Sequence, residues 1–256
     1  MRKQLFAQAA ALAVIMAGPA VAADMPLEAA TPFAARFNWT SCYLGGHLGG
    51  GFAHKALTDP VQLVQDSILG AGSTNGITTV SPSPSGVVIG GQIGCDYQFA
   101  PSWVIGIEGA ASASTMKGSR VFGLPLGPDT AIAKASTDFL PSVTARLGYA
   151  IDNVLLYGKG GVALAGDKYN VIGTFQGTPF AFEGLDLRLG WTVGGGVDWA
   201  FSRHWSVNVE YDYYQFGHSR VLMSDPINAF AGIVDTRQSV QVVKAGLNFH
   251  VWGAGW

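Results

Sequence analysis

Hydrophobic and polar positions alternate along the chain, most regularly from Leu185 to Tyr213. Between Leu185 and Trp199 every second residue is apolar or glycine, and the residues between them are polar, charged or glycine. The same alternation resumes at Trp205. A period of two predicts β-strands with one apolar face and one polar face. The three residues 202–204 separate the two strands and predict a tight hairpin turn.

The length of these two strands indicates that they span a membrane. Strands of soluble proteins usually contain about 5–6 residues, whereas a tilted strand needs about 9–11 residues to cross a bilayer. Both strands of the hairpin reach the longer length. Because barrels in outer membranes are apolar outside and polar inside, the hairpin is predicted to be part of one.

Six further segments show the same period, so the fold class is predicted to be all-β, an eight-stranded antiparallel transmembrane meander β-barrel preceded by a cleaved signal-peptide helix. Long and short connections alternate, as in barrels with short periplasmic turns and long external loops. Pro141 is expected to interrupt the fourth strand. The predicted strands are 42–54, 85–99, 103–114, 137–151, 154–166, 184–201, 205–214 and 238–251, and the predicted long loops are 55–84, 115–135, 167–183 and 219–237.

The ascending strands repeat at a spacing of 51 residues. Each repeat corresponds to one hairpin, so the period supports a meander. The equivalent positions are Trp103, Val154 and Trp205 at the strand starts, and Glu108, Lys159 and Glu210 on the inward phase.

The amino terminus is predicted to be a secretory signal peptide. Arg2 and Lys3 precede an apolar stretch that is too short to span a membrane as a helix. A small-residue cleavage pattern follows. The cleavage-site residues are Ala20, Ala22 and the mature start Ala23. The predicted domains are the signal peptide at 1–22, a flexible leader at 23–38 and the outer-membrane barrel at 39–256.

The composition agrees with a barrel. Hydrophobic residues make up 48% of the chain and charged residues 12%, yet no apolar run of helical-span length follows Ala22. The net charge is −2 and no basic cluster occurs, so nucleic acid is not an expected partner. The two cysteines and five histidines show no zinc-site spacing, and no metal or cofactor is predicted.

Charged residues on the inward phase are the sharpest chemical feature. Neighbouring strands are expected to bring Glu108 near Arg146 and Glu210 near Lys244. The interior of an eight-stranded barrel is just wide enough for side chains, and buried charges there need partners. We therefore predict an ion-pair core that fills the lumen, and a conducting path is the alternative. The predicted network is Glu108, Arg146, Lys159, Arg188, Asp198, Glu210, Asp212 and Lys244.

Two outward-facing features are also predicted. Cys42 and Cys95 fall on adjacent antiparallel strands in the same phase, which favours a disulfide in an oxidising compartment. Two free thiols facing lipid are the alternative. Aromatic residues gather near the short turns and are expected to form an interfacial girdle. Its members are Trp39, Tyr97, Trp103, Tyr149, Trp199, Trp205, Phe249 and Trp252.

Six motifs, in the order in which they follow one another along the chain, resemble those of the RopB-type small outer-membrane β-barrel proteins of α-proteobacteria. These proteins are a branch of the OmpA-like group often labelled "porin family". The resemblance covers essentially the whole mature chain. It implies a structural component of the bacterial outer membrane without catalytic activity. The implied partners are outer-membrane lipids, the barrel-assembly machinery, and host or surface partners of the loops. The motifs are residues 42–51, 90–98, 103–109, 146–149, 156–161 and 243–248.

Three other functions stay open at this point: a surface barrel that binds haem or another small ligand or acts in adhesion, a narrow porin, and a lipid-modifying enzyme. Some relatives bind haem, and His54 and His218 lie near the external strand ends, where they are candidate axial ligands. A narrow porin would conduct through the lumen. A lipid-modifying enzyme would need a nucleophile beside an oriented base, for which His250 is the candidate.

Overall fold

The computed structural model describes residues 37–58, 60, 79–124, 129–228 and 230–251. In these ranges every long strand pairs antiparallel with the next, and the first pairs with the last, so one sheet closes into a barrel. Eight long strands and the two-residue β2 build it, which confirms the predicted eight-stranded antiparallel β-barrel. The strands are β1 Ser41–Thr58, β2 Thr79–Val80, β3 Ser85–Gln98, β4 Trp103–Gly123, β5 Thr130–Ile151, β6 Val154–Phe175, β7 Thr178–Ala200, β8 Trp205–Asp225 and β9 Phe230–His250.

The register of the sheet fixes how strongly the strands tilt. A path through directly paired residues that starts at Tyr43 returns to β1 at Ala53, ten residues further on. Eight strands with this stagger give steeply tilted strands and an interior that side chains fill. The path passes through Gly94, Glu108, Thr144, Gly161, Thr192, Tyr214 and Val240.

The strands extend further than the sequence predicts. The supposed loops at 115–135, 167–183 and 219–237 are mostly strand, and β6 and β7 meet at a two-residue turn. Gln176 and Gly177 form that turn, with φ of 50° and 81°. The prediction of long external loops is therefore wrong for these segments. Serine, threonine and glycine are frequent there, and they weaken the apolar contrast on which the period depends.

Prolines interrupt the ladder without opening the barrel. Pro82 and Pro84 separate β2 from β3, but their carbonyls accept hydrogen bonds from the Lys55 and Ala53 amides at 3.2 and 2.8 Å. Pro141 remains paired with Ala111 on β4, and only the β6 side of β5 loses its ladder there. The expected interruption at Pro141 is thus confined to one neighbour.

Short turns at 99–102, 152–153 and 201–204 mark one end of the barrel, which we call the near end; the opposite one is the far end. Outward apolar side chains are exposed and inward ones are buried. No helix in the described ranges is long and apolar enough to cross a membrane. The predicted signal peptide with Ala20, Ala22 and Ala23, and the girdle residue Trp252, lie outside the described residues.

Cys42 and Cys95 face each other across β1 and β3 near this end, with their sulfur atoms 2.07 Å apart. We predict that proteolysis of the mature protein without reductant yields one cross-linked peptide pair, lighter by two hydrogens than the separate peptides. Mass spectrometry before and after reduction measures this. Recovery of both free thiols from unreduced protein would contradict the bond, and a Cys95→Ser variant provides the unlinked control.

Candidate functional site

The near half of the lumen contains a buried set of ionisable side chains, which we call the central charged layer. Seven of the eight residues in the predicted ion-pair network belong to it, and each is at least 94% buried. With Asp96, the members of the layer come from seven of the eight long strands, so the layer ties nearly the whole circumference together. Its members are Asp96, Glu108, Arg146, Lys159, Asp198, Glu210, Asp212 and Lys244.

Lys159 occupies the middle of this layer. Its Nζ lies 2.9 Å from Glu108 Oε1 and 2.7 Å from Glu210 Oε2. A third carboxylate, Asp212, approaches to 3.4 Å. The three equivalent positions of the 51-residue repeat therefore meet across the lumen. Adjacency along the sheet does not reveal this contact, because β4, β6 and β8 are not neighbours.

The pairs expected from strand adjacency are also present. Arg146 lies 3.4 Å from Glu108. Lys244 lies 3.0 Å from both Glu210 and Asp212. Glu210 thus receives two ammonium groups, which is the kind of pairing that a buried carboxylate requires.

Two tyrosines complete the layer. The Tyr43 hydroxyl donates to Glu108 Oε2 at 2.7 Å, and the Tyr157 hydroxyl donates to Glu210. The Arg146 guanidinium lies 4.0 Å from the centre of the Tyr157 ring, a cation–π geometry. Gly94 leaves room for the Tyr43 ring, because a Cβ there would collide with it. Neither tyrosine was predicted for this site, because the predicted network contains only charged inward residues.

The charges of this layer do not balance. Five carboxylates face three cations, and Asp96 and Asp198 are the outlying acids. They reach Arg146 at 3.6 and 3.9 Å, beyond hydrogen-bond length. Removing one of these two negative charges therefore relieves repulsion within the layer, whereas removing a cation leaves further carboxylates uncompensated.

Arg188, the eighth residue of the predicted network, is also buried in the lumen and ion-paired, but it belongs to a second set of charges. It lies nearer the far end, with its Nε 3.7 Å from Asp167, and it also bonds Asp186. Lys55 Nζ lies 2.7 Å from the same Asp167. Lys55 and Asp167 were expected in loops, although the period of two continues through both of them. We call this second set the outer charged layer.

Apolar layers separate and cover the charged ones. Along β1 the inward positions run from Tyr43 through Ala53 and Lys55 to Leu57, so charged and apolar levels alternate. The near-end layer includes Trp39, Val104, Ala150, Leu155 and Ala200. The middle layer includes Val88, Met116, Leu140, Tyr214, Phe216 and Val242. The far-end layer includes Leu57, Val171, Phe175, Phe180, Met223 and Val234.

One member of the predicted girdle is inside the barrel. Trp39 is fully buried in the near-end layer, where it packs against Phe37 at 4.7 Å between ring centres. Trp39 precedes β1, and the strand period that orients the other aromatics does not extend to it. The remaining described members are outward and exposed: Tyr97, Trp103, Tyr149, Trp199, Trp205 and Phe249.

The structure shows the surroundings of the three histidines singled out from the sequence, His54, His218 and His250. Both ring nitrogens of His250 contact serine hydroxyls, Ser41 at 2.7 Å and Ser206 at 3.0 Å, and the ring is 1% exposed. A triad needs one of these nitrogens to face an orienting carboxylate. His54 and His218 are exposed on the outer wall, and His218 accepts a hydrogen bond from Arg237. The described residues contain no cluster of three or more potential metal ligands.

Lys244→Met is predicted to lower the free energy of unfolding by about 3–5 kcal/mol, because it leaves Glu210 and Asp212 with less compensation in a buried site. Asp198→Asn removes a charge of the opposite sign from the same layer and is expected to cost under about 1 kcal/mol. Urea unfolding of the barrel in micelles, followed by circular dichroism, compares the two.

Lys134→Met changes an exposed lysine and controls for loss of a surface charge. Equal losses in Lys244→Met and Lys134→Met would mean that the central charged layer does not stabilise the barrel.

Comparison with known proteins places this barrel among bacterial outer-membrane proteins. A 31 kDa outer-membrane immunogenic protein of Brucella melitensis is 29% identical over 94% of this chain and 97% of its own length. A 25 kDa outer-membrane immunogenic protein of Brucella ovis is 27% identical over 80% of this chain and 84% of its own.

Among solved structures, the outer membrane protease OmpT of Escherichia coli matches with a TM-score of 0.50. The two share 10% identity over 85% of this chain and 99% of that one, which is a likeness of fold alone. The model of the outer membrane protein beta-barrel domain matches residues 9–255. With a closed antiparallel barrel, an apolar exterior and a polar lumen, the chain belongs to this family of outer-membrane β-barrel proteins.

Proposed function

We propose that this outer-membrane barrel is a structural envelope protein whose lumen is closed by its own side chains. The observation that carries the proposal is the succession of buried layers from one end of the lumen to the other. The near end, with its short turns, faces the periplasm, and the far end faces the outside.

The two kinds of layer oppose ion passage for different reasons. An ion crossing the central charged layer would have to displace Lys159 from Glu108 and Glu210, which are bonded to it at 2.9 and 2.7 Å. Breaking buried pairs of this kind is costly. An ion in the apolar layers would lose its hydration without gaining a partner. Closure therefore does not depend on one residue.

The proposal assigns no catalytic role and no cofactor. The buried serine contacts of His250 support a structural role for that side chain. The Brucella relatives are named outer-membrane immunogenic proteins. On that ground we propose that the far-end hairpins contact surface or host partners. These hairpins are β4–β5, β6–β7 and β8–β9. Assembly by the barrel-assembly machinery belongs to the same proposal.

Single-channel recording tests closure. The mature chain refolded in detergent micelles and inserted into a planar bilayer is expected to give no steady current, while far-UV circular dichroism of the same sample shows β-structure. A stable open current from the folded protein would contradict the closed lumen and favour a transport function. A known open porin, recorded in the same bilayers, controls for insertion.

A further inference from the structure

The lysines and arginines on the outside of the barrel wall lie in one band. In the described ranges, each of the remaining cations is buried in the lumen, apart from Arg203 in a near-end turn and Arg120. Arg120 is exposed, but it pairs with the inward Ala133 and therefore lies on the inward phase of β4. The outward cations all follow the apolar part of their strands toward the far end, where the wall leaves the membrane. They are Lys117, Lys134, Lys168, Arg220 and Arg237.

Three of these lysines converge on neighbouring strands. Ser136 of β5 is paired on one side with Lys117 of β4 and on the other with Lys168 of β6. Lys134 lies two residues from Ser136 on the same outward face. Together they line one open groove of about 470 Å³, and Asn170 adds a polar wall. We call this the three-lysine groove.

An apolar groove lies on the same strands, directly toward the near end. It has a volume of about 560 Å³ and is deepened by small residues at Gly109 and Ala111. Its walls include Val143, Val162 and Leu164. This position is within the lipid-facing surface, so an acyl chain is its natural occupant. The cationic groove therefore lies on the far-end side of the apolar one, with Phe139 and Gly166 on the wall between them.

We propose that these two grooves together bind a phosphorylated, acylated glycolipid of the outer leaflet. The lysines would receive its phosphate, and the apolar groove would receive an acyl chain. Ammonium groups bind phosphate as point charges from several directions, which suits three converging lysines. The order of the two grooves along the strands matches the order of headgroup and chain in the outer leaflet.

Asp138 weakens the electrostatic attraction of the three-lysine groove for a phosphate group. Its carboxylate lies 2.8 Å from Lys168 Nζ, with both side chains substantially exposed. Exposed pairs of this kind are weak, so a phosphate can compete for Lys168. Asp138 still repels an anion, and its removal is expected to strengthen binding. This opposite effect cannot arise from loss of folding.

Native mass spectrometry of the folded mature barrel in detergent, titrated with lipid A that carries two phosphates, tests the proposal. The triple variant Lys117→Gln, Lys134→Gln, Lys168→Gln is expected to bind at least about tenfold more weakly, since each lysine near an anionic lipid surface contributes appreciably. Asp138→Asn is expected to bind more tightly than the unaltered chain. A double variant, Arg220→Gln with Arg237→Gln, removes outward cations from β8 and β9 and controls for loss of charge elsewhere on the wall.

Three outcomes would overturn the site. Equal weakening by the triple variant and by the arginine control would indicate a diffuse charge effect. Equal binding of lipid A and of its phosphate-free form would remove the role of the lysines. Full displacement of lipid A by millimolar inorganic phosphate would show an anion site without a lipid. The inference rests on the outer-membrane location and not on closure of the lumen, so a conducting barrel leaves it untouched.

Discussion

The narrow interior of an eight-stranded barrel is the constraint on which the rest of this structure depends. With a stagger of ten residues, the inward side chains of opposite strands touch. An inward charge therefore finds its partners on a neighbouring strand or directly across the lumen. Lys159 shows the result, because it joins Glu108 of β4 to Glu210 of β8. Closure of the sheet and pairing of the charges thus depend on each other.

Because the barrel is closed and narrow, the outward and inward faces of each strand meet different requirements. The closed ladder satisfies the backbone, as a chain in lipid requires, while the outward side chains need only be apolar. The inward ones must form a packed set. Beyond the membrane the outward face is free of the lipid requirement, and there the lysine and arginine band begins. The residues that anchor the barrel in lipid, those that fill the lumen and those that contact the surroundings outside the membrane consequently occupy separate positions on the same strands.

Much of this arrangement follows from the period of two. Alternation identified the eight strands, their inward charges and the neighbour pair Glu108–Arg146. It did not show that Lys159 reaches past its neighbouring strands to β4 and β8, because that contact depends on the barrel diameter. It placed Lys55 and Asp167 in loops, since the far-end strands lack a lipid-facing apolar run.

The period of two does not show at which level of the lumen a residue lies. Arg188 is inward and ion-paired as predicted, but its pairs form a second layer, where β7 shifts its register against β8 between Glu183 and Trp191. Trp39 is of a residue type that is common in interfacial girdles, but it precedes β1 and its side chain is buried in the near-end layer of the lumen. The alternation of polar and apolar residues therefore predicts which face of the sheet a residue occupies more reliably than its level along the lumen.

Chemical labelling of lysines tests the filled lumen most directly. Reductive methylation of the folded barrel in micelles, read by peptide mass spectrometry, is predicted to modify Lys117, Lys134 and Lys168 and to leave the lumen lysines unmodified until the protein is unfolded. The lumen lysines are Lys55, Lys159 and Lys244. Rapid methylation of Lys159 and Lys244 in the folded barrel would mean that solvent and small reagents reach the central charged layer, and the account of a closed lumen would be wrong.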